Sequence, residues 1–312
     1  MRLNDVEIED TFAEAFPMRG ARVIVTAATE RWAREAALAA TGFATSVIGC
    51  GIEAGIEGPV HNTPDGRPGI SCLFFGMSLD LLEQQLLKRI GQAIITAPTS
   101  ACFDAGVPER PEADRSAMKI GGKLRYFGDG YQASKILDGH RYWRIPVMEG
   151  EFLIQEEFEA ARSIGGGNFI ILAKTAQVAL EAAEAAVAAI RAVKGVALPF
   201  PGGIVRSGSQ VGSRYKFLPA STNIAFCPTI KSRVSKTALP QEVNSVLEIV
   251  IDGFTEAQVE EATRRGILAA CIPGVCKITA GNYGGKLGKF HFHLHKLLAG
   301  AIGPLNRQEQ DS

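Results

Sequence analysis

Apolar positions along the chain fall into two alternating kinds of segment. Short runs rich in branched residues, Arg22 to Thr26 (RVIVT), Ile70 to Phe75, Asn168 to Leu172 and Val246 to Ile251, have the length and composition of strands. Each is followed by a segment with apolar residues at helical spacing that opens on a capping residue. Thr29 precedes a helix to about Ala40 with Trp32, Ala36 and Ala39 or Ala40 on one face, and Ser78 precedes a stripe of Leu79, Leu82, Leu86 and Ile90. Thr175 precedes an alanine-rich helix with Leu180, Ala183, Val187 and Ile190 on one side. Thr255-x-x-Gln258 forms a capping box ahead of a helix to about Ala270. Thr45 to Ile48 reads as a further strand, followed by a turn-rich link, Gly58 to Gly69, that carries Pro64-Asp-Gly.

The second half therefore reads like the first. Gly121-Gly-Lys-Leu-Arg-Tyr-Phe127 and Gly284-Gly-Lys-Leu-Gly-Lys-Phe290 share five of seven residues, each after the second strand–helix unit of its half. Two related lobes of mixed α and β structure are expected, an α+β fold.

One stretch departs from this rhythm. Val196 to Asn223 holds Pro199, Pro201 and Pro219 with Gly202, Gly203, Gly208 and Gly212, yet Phe200, Ile204, Val205, Val211, Tyr215, Phe217 and Leu218 punctuate it. Proline lacks the N–H donor and glycine carries an entropy cost, so the run is neither helix interior nor central strand. A shaped, half-apolar loop of this length suits a binding site, its glycine N–H groups facing an anion beside Arg206, Arg214 and Lys216. The same composition equally suits a packed corner between elements with solvated basic residues.

Composition narrows the class. With 312 residues, about two domains are expected, and 46% apolar content with mean hydropathy +0.08 fits a globular protein in water. Lys plus Arg equals Asp plus Glu, 33 each, so no global field recruits nucleic acid or an anionic membrane. No apolar run reaches spanning length, and MRLNDVEIEDTF lacks a secretion pattern. Cys50, Cys72, Cys102, Cys227, Cys271 and Cys276 show no CxxC spacing, which points to reduced thiols in the cytoplasm. Cys271 and Cys276 flank the Pro273-Gly274 turn as core thiols, and Phe127-Gly-Asp-Gly-Tyr131 reads as a tight turn. Gly165-Gly-Gly-Asn168 lacks the spacing of a dinucleotide fingerprint.

Longer motifs carry a resemblance. Glu9-Asp-Thr-Phe-Ala-Glu-Ala-Phe16, Thr63-Pro-Asp-Gly-Arg-Pro-Gly69, Phe127-Gly-Asp-Gly-Tyr131, Pro199-Phe-Pro-Gly-Gly-Ile204, Ala220-Ser-Thr-Asn223 and Ala280-Gly-Asn-Tyr-Gly-Gly-Lys-Leu-Gly288 resemble formylmethanofuran–tetrahydromethanopterin formyltransferases over nearly the whole chain. The resemblance implies two ferredoxin-like lobes, residues 1–146 and 147–298, before a flexible tail at 299–312. It implies a homotetramer that carries a formyl group between the amine of methanofuran and a ring amine of tetrahydromethanopterin, with no metal or tightly bound cofactor. The balanced charge resembles the form found in methylotrophic bacteria, where the enzyme works with other subunits of a formyltransferase/hydrolase complex in oxidising formaldehyde to formate. A non-catalytic, coenzyme-holding scaffold subunit of such a complex is the alternative.

The chemistry sets what the site must hold. An amine attacking a formamide carbonyl creates an oxyanion, and one nitrogen loses a proton as the other gains one. Glu248 is the candidate proton shuttle. In Val246-Leu-Glu-Ile-Val-Ile251 it shares one sheet face with Val246 and Val250, where desolvation raises a carboxyl pKa toward neutrality. An edge-strand glutamate paired with a basic residue is the plainer reading, and the resemblance favours the catalytic one, because the family's proposed catalytic glutamate falls here. Substrate contacts are expected from Phe200, Pro201, Gly202, Gly203, Arg206, Arg214, Lys216, Ser221, Thr222 and Asn223. His291, His293 and His295 alternate in HFHLH as if on one strand face within reach of a metal, but the family needs none.

Overall fold

A run of 15 residues, Phe12–Thr26, forms strand β1, and the predicted RVIVT segment is only its C-terminal end. The computed structural model, which describes residues 1–299, continues with helix α1 (Glu30–Thr41), strands β2 (Glu53–Val60) and β3 (Gly69–Gly76), helix α2 (Leu79–Arg89) and strand β4 (Ala101–Asp104). β1 pairs antiparallel with β3 and with β4, and β3 with β2, so the order across the sheet is β4-β1-β3-β2. The second half uses β5 (Phe158–Ala173), α3 (Ala176–Ile190), β6 (Val196–Ala197), β7 (Ser245–Gly253), α4 (Glu256–Ala270) and β8 (Val275–Thr279). Its order, β8-β5-β7-β6, is the same and is again antiparallel. A βαββαβ unit with this order is ferredoxin-like, and the chain contains it twice. The lobes also share a sheet, because Phe16 to Gly20 of β1 pairs with Ala161 to Gly165 of β5. Of the tail expected at 299–312, all but Ala299 lies outside the described residues.

All the predicted caps form. Thr29, Ser78 and Thr175 accept the N–H of Trp32, Leu81 and Val178, and Thr255 with Gln258 completes a reciprocal capping box. Helices cover one face of each lobe: Ala36, Ala40, Leu82 and Leu86 pack with Phe74, and Ala182, Ala186 and Ile267 pack with Phe169, Ile171 and Ile249. Small residues set the spacing of α3 and α4; a Cβ on Gly266 would lie 2.8 Å from Ile190 Cδ1.

Several expectations need correction. Thr45 to Ile48 is not a strand: Val47–Cys50 forms one helical turn, with Ser46 accepting the Ile48 N–H and Gly51 left-handed at φ 74°. Ile48 stays 76% exposed, so the branched run has no sheet to join, and capping decides its shape. The link between β2 and β3 is shorter than read, residues 61–68, although its Pro64-Asp-Gly turn is present with Gly66 at φ 71°. The two Gly-Gly-Lys-Leu segments are not equivalent. The first lies in the helical turn Ile120–Leu124, and the second in an irregular turn with Gly284 and Gly285 at φ 69° and 72°. Duplication resides in the topology instead. The HFHLH alternation also breaks: the strand Phe290–His293 ends and the helix Leu294–Leu298 begins, so His295 leaves the strand face. Its Nε2 sits 2.8 Å from the Ile8 carbonyl. Among the described residues no cluster of three His, Cys, Asp or Glu side chains could hold a metal, and no helix is long and apolar enough to cross a membrane.

The face of the second lobe opposite α3 and α4 carries no helix of this kind. The 198–244 excursion between β6 and β7 covers it, with Leu239, Val243 and Phe226 packed on Ile170 and Leu172. Between this cover and the sheet lies the candidate site.

Candidate active site

Alternation along β7 sends Ile249 and Ile251 under the helices, fully buried, and leaves Val246 and Glu248 on the opposite face, as the sequence pattern implies. Glu248 lies opposite Ile170 of β5, and Ile170 lies opposite Thr279 of β8, so the three form a cross-strand row. The outer edge of Glu248 is closed by Val205: the Val205 N–H donates to the Glu248 carbonyl at 2.8 Å and the Glu248 N–H to that of Val205 at 3.0 Å. Its backbone is thus satisfied, and the carboxyl is left in apolar surroundings. Desolvation raises its pKa from 4.5 to about 7, with no basic partner offsetting it. The edge-strand ion pair, the plainer reading of this residue, is absent among the described residues.

Glu248 lines a cavity of about 450 Å³ together with Ile170, Val246 and Leu247 of the sheet and, from the excursion, Val205, Arg206, Ser207, Gly208, Thr222, Asn223 and the segment Phe226 to Thr229. Local hydrogen bonds shape that wall. Thr222 Oγ1 donates to the Ser207 carbonyl at 3.2 Å, and Cys227 Sγ to that of Asn223 at 3.3 Å. Arg206 is exposed at the mouth. Of the residues expected to touch substrate, Arg206, Thr222 and Asn223 therefore share the cavity with Glu248.

The others go elsewhere. Phe200, Pro201, Gly202 and Gly203 line a second cavity of about 490 Å³, facing α1 and β2 of the first lobe and Arg191 at the end of α3. Gly203, at φ 90°, is packed there, since its Cβ would meet Leu198 Cδ1 at 3.0 Å. Arg214 and Lys216 lie on an exposed ribbon whose strands, Gln210–Val211 and Ala220–Ser221, pair only with each other. Ser221 ties that ribbon together by donating to the Gly212 carbonyl at 2.8 Å. Ser207 and the 226–229 wall went unread in the sequence, where no spacing or charge marks them.

Glu14 was also unread beyond belonging to an acidic motif. Only 1% exposed, it accepts the N–H groups of Tyr283 and Gly285 on one oxygen, at 2.7 and 2.9 Å, and those of Leu287 and Gly288 on the other. Burial alone would raise its pKa, but these four donors hold it down to about 2. The Ala280 to Gly288 turn is thereby fastened to β1.

Residues 1–147 match the family model for formylmethanofuran–tetrahydromethanopterin formyltransferase, and residues 150–297 match that for its proximal lobe. The chain belongs to this formyltransferase family. A formyltransferase of that name from Methylobacillus flagellatus is 56% identical over 306 residues, covering 96% of this chain and all of that protein (100%). The solved formyltransferase from Methanosarcina barkeri has 50% identity and a TM-score of 0.88, covering 95% of this chain and 100% of its own. A chain in the formyltransferase/hydrolase complex of Methylorubrum extorquens, solved with methylofuran, has 50% identity and a TM-score of 0.90, covering 96% of this chain and 98% of its own.

In this formyltransferase-family chain the lobes are also joined by buried charge. Arg22 of β1 donates to Glu57 of β2 and to Glu109, and lies 4.9 Å above the Phe254 ring; Glu57 accepts the Gly195 N–H of the other lobe at 2.7 Å. Asp252 of β7 and Glu53 of β2 face each other in the core. Burial, then the charge of Glu53, pushes Asp252 well above the usual carboxylate range. None of these carboxyls opens onto the cavity at Glu248. Glu248 combines a pKa of about 7 with a place on the wall of this cavity.

Proposed function

We propose that the chain transfers a formyl group between tetrahydromethanopterin and methanofuran or a close relative such as methylofuran, with Glu248 moving the proton between their amines. The observation that carries this reading is Glu248 itself: a desolvated carboxyl of pKa about 7, opening on a cavity with Arg206, Thr222 and Asn223. At neutral pH it is present in both protonation states, which is the condition for taking a proton from the attacking nitrogen and returning it to the leaving one. The coenzymes react directly, so no enzyme nucleophile is needed.

The test is direct. The purified chain, given formylmethanofuran and tetrahydromethanopterin, is expected to form formyl-tetrahydromethanopterin in the absence of any other subunit. Coenzyme binding without transfer would instead indicate a non-catalytic scaffold.

Arg206 supplies the positive charge at the cavity mouth for a coenzyme carboxylate or phosphate. Arg206→Ala is expected to raise KM about tenfold, ~1.4 kcal/mol, with a smaller effect on kcat. Arg214→Ala and Lys216→Ala, outside the cavity, are expected to leave KM within about twofold. Steady-state kinetics of the three variants decides this, and equal effects would extend the coenzyme site onto the ribbon.

The related complex from Methylorubrum extorquens supports a working context with hydrolase subunits. There the chain would receive formyl groups from tetrahydromethanopterin during formaldehyde oxidation to formate, in the cytoplasm. With 33 charges of each sign, subunits do not repel, and a homotetramer would form without molar salt.

A further inference from the structure

The polar side chains around the Glu248 cavity differ in whether their hydrogen bonds are already spent. Thr222 Oγ1 donates to the Ser207 carbonyl at 3.2 Å, and Cys227 Sγ donates to the Asn223 carbonyl at 3.3 Å. Ser207 and Thr229 are exposed, so water serves their hydroxyls, and Arg206 stands at the mouth. Asn223 is different. It lines the cavity, it is only half-exposed, and its side-chain amide has no hydrogen-bond partner among the described residues. An amide carries two N–H donors, and one left unpaired on a cavity wall is open to a ligand.

A short run of contacts ties this amide to Glu248. Val205 exchanges two backbone hydrogen bonds with Glu248, at 2.8 and 3.0 Å. Two residues further on, the Ser207 carbonyl accepts the Thr222 hydroxyl, and Gly208 backs onto Asn223: a Cβ on Gly208 would lie 3.4 Å from Asn223 Cβ. Asn223 is fixed from its other side as well, because its carbonyl accepts the Phe226 N–H at 3.0 Å besides the Cys227 thiol. Its backbone is therefore set before a ligand arrives, which lets a donor stabilise charge without reorganising.

We propose that the Asn223 amide is a second catalytic group, donating a hydrogen bond to the formyl oxygen as the tetrahedral intermediate forms in the cavity shared with Glu248. The inference rests on the formyl-transfer reading above. The attacking amine nitrogen bonds to the formyl carbon, and the carbonyl electron pair moves onto oxygen, where the amide N–H donates without losing its proton. The amine proton passes to Glu248. As the carbonyl re-forms, the bond to the departing nitrogen breaks and that nitrogen takes the proton from Glu248. The amide bonds most strongly to charge that exists only in the intermediate and its flanking transition states, so it acts on kcat.

Asn223→Ala removes the donor, and Asn223→Asp keeps the shape but turns a negative acceptor toward the oxygen. Measured with formylmethanofuran and tetrahydromethanopterin beside Glu248→Gln, the alanine variant is expected to lose about 10²-fold in kcat and the aspartate variant at least as much. KM is expected within about threefold, with Tm unchanged because the amide makes no internal bond. The inflection near pH 7 that belongs to Glu248 should stay in Asn223→Ala and move up in Asn223→Asp, where a like charge faces it. A kcat within twofold of the parent in either variant, with Glu248→Gln impaired, overturns this inference alone, as does an unmoved inflection in Asn223→Asp. A rise in KM with kcat intact leaves Asn223 a coenzyme contact, and a kcat loss with a lowered Tm makes it part of the scaffold; both overturn the catalytic role. A normal kcat in Glu248→Gln removes the site reading and this inference with it.

Discussion

Glu248→Gln is expected to lower kcat by about 10²–10⁴-fold, or roughly 2.7–5.4 kcal/mol of transition-state stabilisation. Glutamine has the same shape and can hydrogen-bond, but it cannot take up or release the proton. The loss falls on kcat more than KM, because the proton moves in the transition state and not on coenzyme binding. Stability is expected to move the other way. The folded pKa of about 7 lies above the ordinary 4.5, so the folded chain holds this proton more tightly than the unfolded chain. The associated stability is complete at acid pH and is lost as pH rises from about 4.5 through about 7. Glutamine carries no such dependence. The variant's Tm should equal that of the parent near pH 5 and match or exceed it at pH 8. Kinetics and thermal unfolding on one preparation check both halves, and an intact kcat would sink the assignment.

Glu14→Gln is expected to be the most damaging single change to stability. The carboxylate serves two N–H donors with each oxygen. Glutamine keeps one acceptor oxygen and turns an NH₂ group toward the other two donors, leaving them buried and unpaired. Charge-assisted hydrogen bonds are worth about 1.5–3 kcal/mol each, so losing two costs roughly 3–6 kcal/mol at neutral pH. At roughly 2–4 °C per kcal/mol in a chain of this size, the Tm should fall on the order of 10 °C. The pH dependence has the opposite sign to that at Glu248. The folded pKa of about 2 is depressed, so its stabilisation is present above 4.5 and lost as pH falls toward 2. Parent and variant should therefore converge in acid. A Tm within about 2 °C of the parent at pH 7 would show that the turn does not depend on this carboxylate.

The contrast between these two glutamates shows what kind of information a sequence carries. Glu248 sits in an alternating strand, so its face follows from the two-residue period of the backbone alone. Glu14 also lies in a strand, but its partners are more than 260 residues away, and nothing local marks the four N–H groups that surround it. The helix caps behaved like Glu248, because Thr29, Ser78, Thr175 and Thr255 each bond within three residues. Val47 to Cys50 behaved like neither. Two local preferences competed there, branched side chains for a strand and Ser46 with Gly51 for a capped turn, and no neighbouring strand was available to favour the first.

By itself, then, the sequence determined the alternating strands and helices, their starts, the side of β7 that Glu248 occupies and the motifs of the family. These depend on repeat period, capping and ordered residue strings, all of which act over a few positions. Tertiary structure alone decided how the lobes fuse through β1 and β5, and which part of the Val196 to Asn223 stretch meets Glu248. It divided that stretch three ways: Arg206, Thr222 and Asn223 in the cleft, Phe200 to Gly203 toward the first lobe, and Arg214 and Lys216 on the ribbon. The physical reason is that proline and glycine fix where a loop turns but not what its turns will face; that depends on sheet edges and helices assembled from distant parts of the chain.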